Sequence, residues 1–188
     1  MRFVAFDGNS QTYGGFQTVP DKYPSICLAL LPGYTGTNFG VGAQNILHMI
    51  ADAATEIDPL WQLENTKSIV VPWEGINDIY TNGATAAEAY AHYVSYCNAR
   101  RARGWKIVAV TCIPDTRIPY ATITDYNTRL RSNWATFADA LADVEADARL
   151  QGDGAELNLT YRTVDAVHLT TAGNAVIAEI VAAAISSI

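Results

Sequence analysis

The sequence predicts an α/β protein in which a parallel sheet lies between two layers of helices. Three observations predict it: short runs rich in β-branched residues recur along the chain, helical patterns alternate with them, and no repeat or low-complexity segment breaks the alternation. Such alternation favours parallel pairing, because each return to the same sheet edge needs a crossover long enough to hold a helix. A parallel sheet in turn needs cover on both faces. The chain has 188 residues, 49% of them apolar, which is enough for one sizeable core and too little for two independent ones. A single domain over residues 1–188 is expected.

Arg2 to Phe6 is an apolar run that stops at the turn formers Asp7, Gly8 and Asn9, and it reads as a buried strand ending in a loop. After Pro20, the residues Tyr23, Ile26, Cys27, Leu30 and Leu31 recur at helical spacing, and Pro32 with Gly33 stops that helix. Residues 35–41 read as a second strand. Ile46, Met49, Ile50, Ala53 and Ile57 mark an amphipathic helix, and Ile69, Val70 and Val71, after Ser68, mark a third strand. The alanine-rich, turn-free residues 86–103 predict a helix with Arg100, Arg101 and Arg103 at its negative dipole end and Gly104 as its stop. Lys106 to Ile113, ended by Pro114, is the fourth strand. Residues 123–150 read as one long helix ending near Gly152, residues 157–161 as the fifth strand, and residues 170–188 as the last helix.

The net charge of −7 leaves no basic stripe, so nucleic acid and anionic membrane surfaces are not expected partners. No apolar run approaches the roughly 18 residues of a membrane span, and even the C-terminal stretch from Ala175 carries Glu179. A soluble chain is expected. Met1 to Asp7 lacks the apolar core and small-residue cleavage site of a secretory signal, which leaves a cytoplasmic protein or a secreted one whose signal was removed. Cys27, Cys97 and Cys112 are odd in number, widely spaced and set among apolar residues, so they read as buried thiols. There is no metal-ligand set, no Gly-x-Gly-x-x-Gly and no phosphate-loop lysine, so neither a metal nor an organic cofactor is expected.

In parallel sheets ligands bind beyond the carboxyl ends of the strands, which is where Ser10 and the loops after the second and third strands fall. A serine becomes a nucleophile when a base can take its proton, a third group orients that base, and donors await the oxyanion. Asp165 and His168 offer a carboxylate and an imidazole three residues apart, a spacing that puts both on one side of a helical turn. Asn77, in the loop after the third strand, can offer an amide N–H at the same edge. Asn38 to Gln44 is a glycine-bearing turn into a helix, whose free backbone N–H groups suit an anion. The chain order Ser, Asp, His is that of the α/β-hydrolases, but the Gly-x-Ser-x-Gly elbow is missing and Ser10 precedes almost the whole domain, which disfavours that fold.

Together four segments resemble the SGNH hydrolases, also called GDSL-type esterases and lipases: Gly8 to Thr12, Asn38 to Gln44, Gly75 to Asp78, and Asp165 to His168 followed by Leu169 and Gly173. The resemblance spans the whole chain. It implies a flavodoxin-like three-layer α/β/α sandwich with a five-stranded parallel sheet. It also implies that Ser10 is the nucleophile, His168 the base and Asp165 its orienting partner. The Ser10 N–H, a second-segment N–H and the Asn77 side chain would form the oxyanion hole. Two positions depart from the family pattern. Asn9 stands where an aspartate usually precedes the serine, which implies altered loop stability. Ala43 stands where the oxyanion-hole glycine aligns, one place after Gly42, so either Gly42 or Ala43 supplies the second N–H.

The implied activity is serine ester hydrolysis through an acyl-enzyme, without metal or cofactor. Short loops after the first three strands point to short acyl groups. Tyr13, Trp73 and Tyr80 either pack the core or form a stacking wall, and together with Phe16 they could line a shallow pocket that would suit an acetylated carbohydrate. The rival readings are a lysophospholipase or acyl-thioesterase of the same family, a flavin- or nucleotide-binding module, and a carbohydrate-binding relative without turnover. His48 and His92 read as structural, and Asp78 as a cap on the following turn.

Overall fold

Strands β1 (Arg2–Gly8), β2 (Tyr34–Asn38), β3 (Lys67–Trp73), β4 (Lys106–Val110) and β5 (Ala140–Ala142) form one sheet in the order β2-β1-β3-β4-β5, with every pairing parallel. This is the architecture of the computed structural model, which describes residues 1–62 and 64–188. The order is that of a flavodoxin-like sheet, whose connections reverse direction between β1 and β3. In register Gly8 lies opposite Trp73, so the segments leaving those two strands emerge side by side.

The strands carry two cores, one on each face, because successive side chains point to opposite sides. Val4 and Phe6 of β1, Ile69 and Val71 of β3, and Val108 and Val110 of β4 pack with Tyr23 and Cys27 of helix α2 (Tyr23–Ala29) and with Val176, Ile177 and Val181 of helix α7 (Thr171–Ser186). Ala5, Val70, Ile107 and Ala109 face the other way. They meet helix α3 (Ile46–Glu56) through Met49 and Ala53, α5 (Ala86–Ala102) through Tyr93 and Cys97, and α6 (Tyr120–Phe137) through Ile123 and Leu130. Each fully buried Val, Ile, Leu or Phe contributes about 1.5–3 kcal/mol before the entropy of ordering is counted. Two short helices, α1 (Ser10–Tyr13) and α4 (Ile76–Tyr80), start where β1 and β3 end. Among the described residues no helix is long and apolar enough to cross a membrane.

The fifth strand is not where the sequence suggests. Residues 157–161 are turn, and Leu157 and Leu159 lie exposed beside a single 3-10 turn over Ala155–Leu157. The expected long helix ends instead at Phe137, and Ala140–Ala142 pairs with Val108–Val110 as β5. Asp139 makes the break: its carboxylate accepts from Ile107 N–H and Lys106 Nζ, and its own N–H donates to Ile107 O. A sheet edge thus overrides the helix propensity of an Ala-Leu-Ala segment. The second and fourth strands also stop three residues short of their expected ends, at Asn38 and Val110.

Candidate active site

Ser10 is the first residue of α1, and Asn9 caps that helix by accepting Gln11 N–H on its Oδ1 at 2.8 Å. His168 Nε2 lies 2.9 Å from Ser10 Oγ, and His168 Nδ1 lies 2.7 Å from Asp165 Oδ2. The three side chains thus form one continuous hydrogen-bonded chain. With the Nδ1 proton shared toward Asp165, the Nε2 lone pair faces the serine hydroxyl. Burial works against the Asp165 charge, yet hydrogen bonds from His168 N–H, the Thr163 hydroxyl, the His168 ring and Val167 N–H outweigh it and hold its carboxyl well below the usual carboxylate range.

Asp165 and His168 do not share a helical turn. They belong to a loop closed by an antiparallel bridge between Arg162 and Leu169, with Ala166 in the left-handed region at φ 57°. Thr163 N–H donates to His168 O across the loop, and the buried Arg162 guanidinium donates to Pro114 O, tying the loop to the segment after β4. From the Ser10 side, Gln11 Nε2 donates to Val167 O and Gln17 Nε2 to Leu169 O.

Ser10, Gly42, Ala43 and Asn77 come from the three segments that leave β1, β2 and β3. The N–H groups of Ser10, Gly42 and Ala43 have no acceptor among the described residues. Asn77 is buried. It spends one Nδ2 hydrogen on Gln44 O at 2.8 Å, which leaves the second. Ala43 takes the angle that a glycine usually holds, φ 61°, whereas Gly42 is not at positive φ. A left-handed alanine costs about 1–2 kcal/mol, strain of the kind held at functional sites.

Two buried carboxyls, Asp7 and Asp78, join these segments, and a third, Glu74, braces one of them from within. Asp7 Oδ1 accepts from Gln44 Nε2 and Oδ2 from Tyr96 Oη at 2.5 Å, and burial pushes its carboxyl up to about 7. Asp78 does not cap the turn that follows it. Its Oδ2 accepts Ile46 N–H at the start of α3, and its Oδ1 meets His92 Nδ1 at 3.2 Å. Glu74 accepts from Gly75 and Asn77 N–H. Gly75 itself sits at φ 140°, and a Cβ there would lie 2.6 Å from the Tyr126 ring, so no other residue fits. Glu74 and Asp7 were not expected as site residues. An acid at the end of an apolar strand reads as the first residue of a solvated loop, and only the topology shows that both stay inside.

The aromatic residues divide. Trp73 is 3% exposed, set edge-on to Tyr23, with its indole N–H donating to Thr111 O, so it belongs to the core and has no face for a sugar. Tyr13 and Tyr80 are half-exposed, but Lys22 lies over the first ring at 4.6 Å and Arg117 over the second at 4.5 Å. Phe16 stands nearer the chemistry: its ring, 67% exposed, lies 4.6 Å from that of His168. Gly14, Gly15, Phe16 and Leu169 line a small depression beside Ser10 and His168. Among the described residues no group of three or more His, Cys, Asp or Glu side chains is placed to hold a metal ion. His48 is exposed on α3.

The family model of GDSL-like lipases/acylhydrolases matches residues 6–176 of this chain. No curated protein compared with the chain matches it. Among solved structures, a member of the lipolytic protein G-D-S-L family from Veillonella parvula superposes with a TM-score of 0.81 at 16% identity, over 100% of both chains. TesA superposes with a TM-score of 0.78 at 16% identity, over 99% of each chain. A variant of an acetyl-xylooligosaccharide esterase from Geobacillus stearmophilus gives 0.70 at 15% identity, over 98% of this chain and 94% of that one. At these identities the likeness is one of fold.

Proposed function

This chain belongs to the GDSL-like lipase/acylhydrolase family and is an ester-hydrolysing enzyme; on that premise we propose that it works as a serine esterase on short acyl esters, with Ser10 as nucleophile. The observation that carries this reading is the hydrogen-bonded chain from Ser10 through His168 to Asp165. His168 Nε2 takes the Ser10 proton as Oγ attacks the acyl carbon, and the carbonyl π pair moves onto its oxygen. The Ser10 N–H, an N–H of Gly42 or Ala43, and the free Asn77 Nδ2–H receive that oxyanion. Collapse expels the alcohol, which takes the proton from His168. Water, deprotonated by His168, then attacks the acyl-enzyme by the same route and returns Ser10. Asp165 keeps the imidazole in the required tautomer and stabilises its charged form.

The short-acyl reading rests on how little enclosed space lies at Ser10, about 10 Å³, and on its small residues Gly14 and Gly15. A long chain must bury its methylenes to profit from them, at about 0.8 kcal/mol each. Phe16, not Trp73, provides the aromatic face beside the reacting atoms, and it suits an acetylated carbohydrate as the natural substrate. The experiment is kcat/KM for acetyl, butyryl, octanoyl and palmitoyl esters below their aggregation limits. The short-acyl reading expects the highest value at acetyl or butyryl. A steady rise with chain length would mean that exposed apolar surface beside Ser10, Phe16 first, receives the acyl chain. It would favour a lysophospholipase or acyl-thioesterase.

A further inference from the structure

We propose that Glu74 is a positioning residue for ester cleavage, fixing the turn after β3 so that the Asn77 amide meets the oxyanion. The proposal rests on the serine-esterase reading of Ser10 and Asn77. Glu74 is the first residue past β3 and is buried. Its Oε1 accepts Gly75 N–H at 2.9 Å and Asn77 N–H at 2.7 Å. α4 has only five residues, too few to order itself, and its N-terminal Gly75 offers no capping side chain. The Glu74 carboxyl takes the place of that cap. The residue is also clamped at its carbonyl oxygen, which accepts Tyr126 Oη at 2.8 Å and Cys112 Sγ at 3.7 Å.

The second carboxyl oxygen indicates the form in which Glu74 acts. Glu74 Oε2 is enclosed and has no donor among the described residues, and the same holds for Gln11 Oε1. Both residues, with Asn9, line one small cavity, so it is bounded by the neighbours of Ser10 on either side. Buried acceptors without donors cost about 1–3 kcal/mol each. A proton on Oε2 turns one of them into a donor.

The surroundings favour that proton: burial pushes the Glu74 carboxyl up to about 8, against the Gly75 and Asn77 N–H groups, while Asp78 adds to the rise and the Asn9 amide opposes it. The other ionisable groups that face it are Cys112 after β4 and Tyr126 on α6, both neutral, and Arg117, which is paired with Asp115. A neutral carboxyl also serves the chemistry, since a carboxylate beside Asn77 would oppose the negative charge forming on the substrate oxygen. Asn9 fits the same requirement, because an aspartate there would set a second carboxylate beside Glu74.

The test compares Glu74→Leu and Glu74→Gln on an activated acetyl ester, with kcat and KM followed from pH 6 to about 9.5. Glu74→Leu removes the acceptor and lowers kcat about 10–100-fold, less than the full loss of an oxyanion donor, with KM changed by less than about threefold. Glu74→Gln keeps an acceptor at Oε1 and a donor on the second atom, and it restores most of kcat at pH 7. Wild-type kcat falls as pH rises through about 8, where Glu74 ionises, and this fall is missing in Glu74→Gln. Ser10-dependent turnover with unchanged kcat in Glu74→Leu would overturn the proposal alone. So would the same alkaline fall in wild type and Glu74→Gln, a result that decides the matter even if the Leu variant does not fold. Turnover that survives Ser10→Ala would overturn the esterase reading, and this proposal with it.

Discussion

Gln11 Nε2 donates to Val167 O at 2.9 Å, so the residue after Ser10 holds the residue before His168. The bond is buried and joins segments 156 positions apart. It ties the Ser10 segment to the His168 segment without touching Ser10 Oγ or His168 Nε2.

Gln11→Ala is therefore expected to lower kcat by about 10–100-fold, because a displacement near 1 Å between reacting groups can cost about 100-fold. The same change costs the fold only about 1 kcal/mol, the usual worth of one buried hydrogen bond. Steady-state kinetics and a denaturation curve on the same variant separate the two effects. A loss of stability with normal kcat would show that Gln11 braces the loop without setting the Ser10–His168 contact.

Asn77→Ala removes the side-chain donor of the proposed oxyanion hole. Its expected effect is a fall in kcat of about 10²–10³-fold, or 2.7–4 kcal/mol, with KM little changed. Gln44 O also loses its partner, so the variant is somewhat less stable. Normal kcat with a raised KM would place Asn77 in substrate binding.

Stability should fall between about pH 5 and pH 8.5. Burial raises the carboxyls of Asp7 to about 7 and Glu74 to about 8, so the folded state binds their protons more tightly than the unfolded chain. Their contribution is complete below the ordinary carboxylate range, near pH 4, and is lost as pH rises through the folded values. Asp78 is shifted in the same direction. Asp165 is shifted the other way, but its contribution fades only as pH falls below the ordinary range, outside this window. Thermal melts at pH 5 and 8.5 are expected to show the lower Tm at 8.5, with a smaller difference in Glu74→Gln. A higher Tm at pH 8.5 would mean that these acids are not enclosed as described.

Much of this was legible in the sequence, and the exceptions have physical causes. Strands β1, β3 and β4 show themselves because Val4, Ile69, Val70 and Val108 lie in apolar runs that only a covered sheet explains. β5 does not, since Ala140, Leu141 and Ala142 favour a helix and become a strand only by pairing with Val108–Val110. Ser10, Asn77, Asp165 and His168 stand out because each lies at a turn beside other residues of matching chemistry. Trp73 misleads: its type suits a stacking wall, but its position on β3 points it into the core beside Tyr23. Phe16 is legible as a candidate pocket aromatic, but its loop has no periodicity to place it, and the folded chain brings its ring to His168.

Ser10 as the nucleophile is tested most directly by the mass of the protein after treatment with a serine-directed fluorophosphonate, in wild type and Ser10→Ala. One adduct is expected on wild type, on the peptide that contains Ser10, with ester turnover lost in step with labelling. Ser10→Ala is expected to take up no adduct and to show no turnover. An adduct on a different residue, or turnover retained by Ser10→Ala, would contradict the assignment.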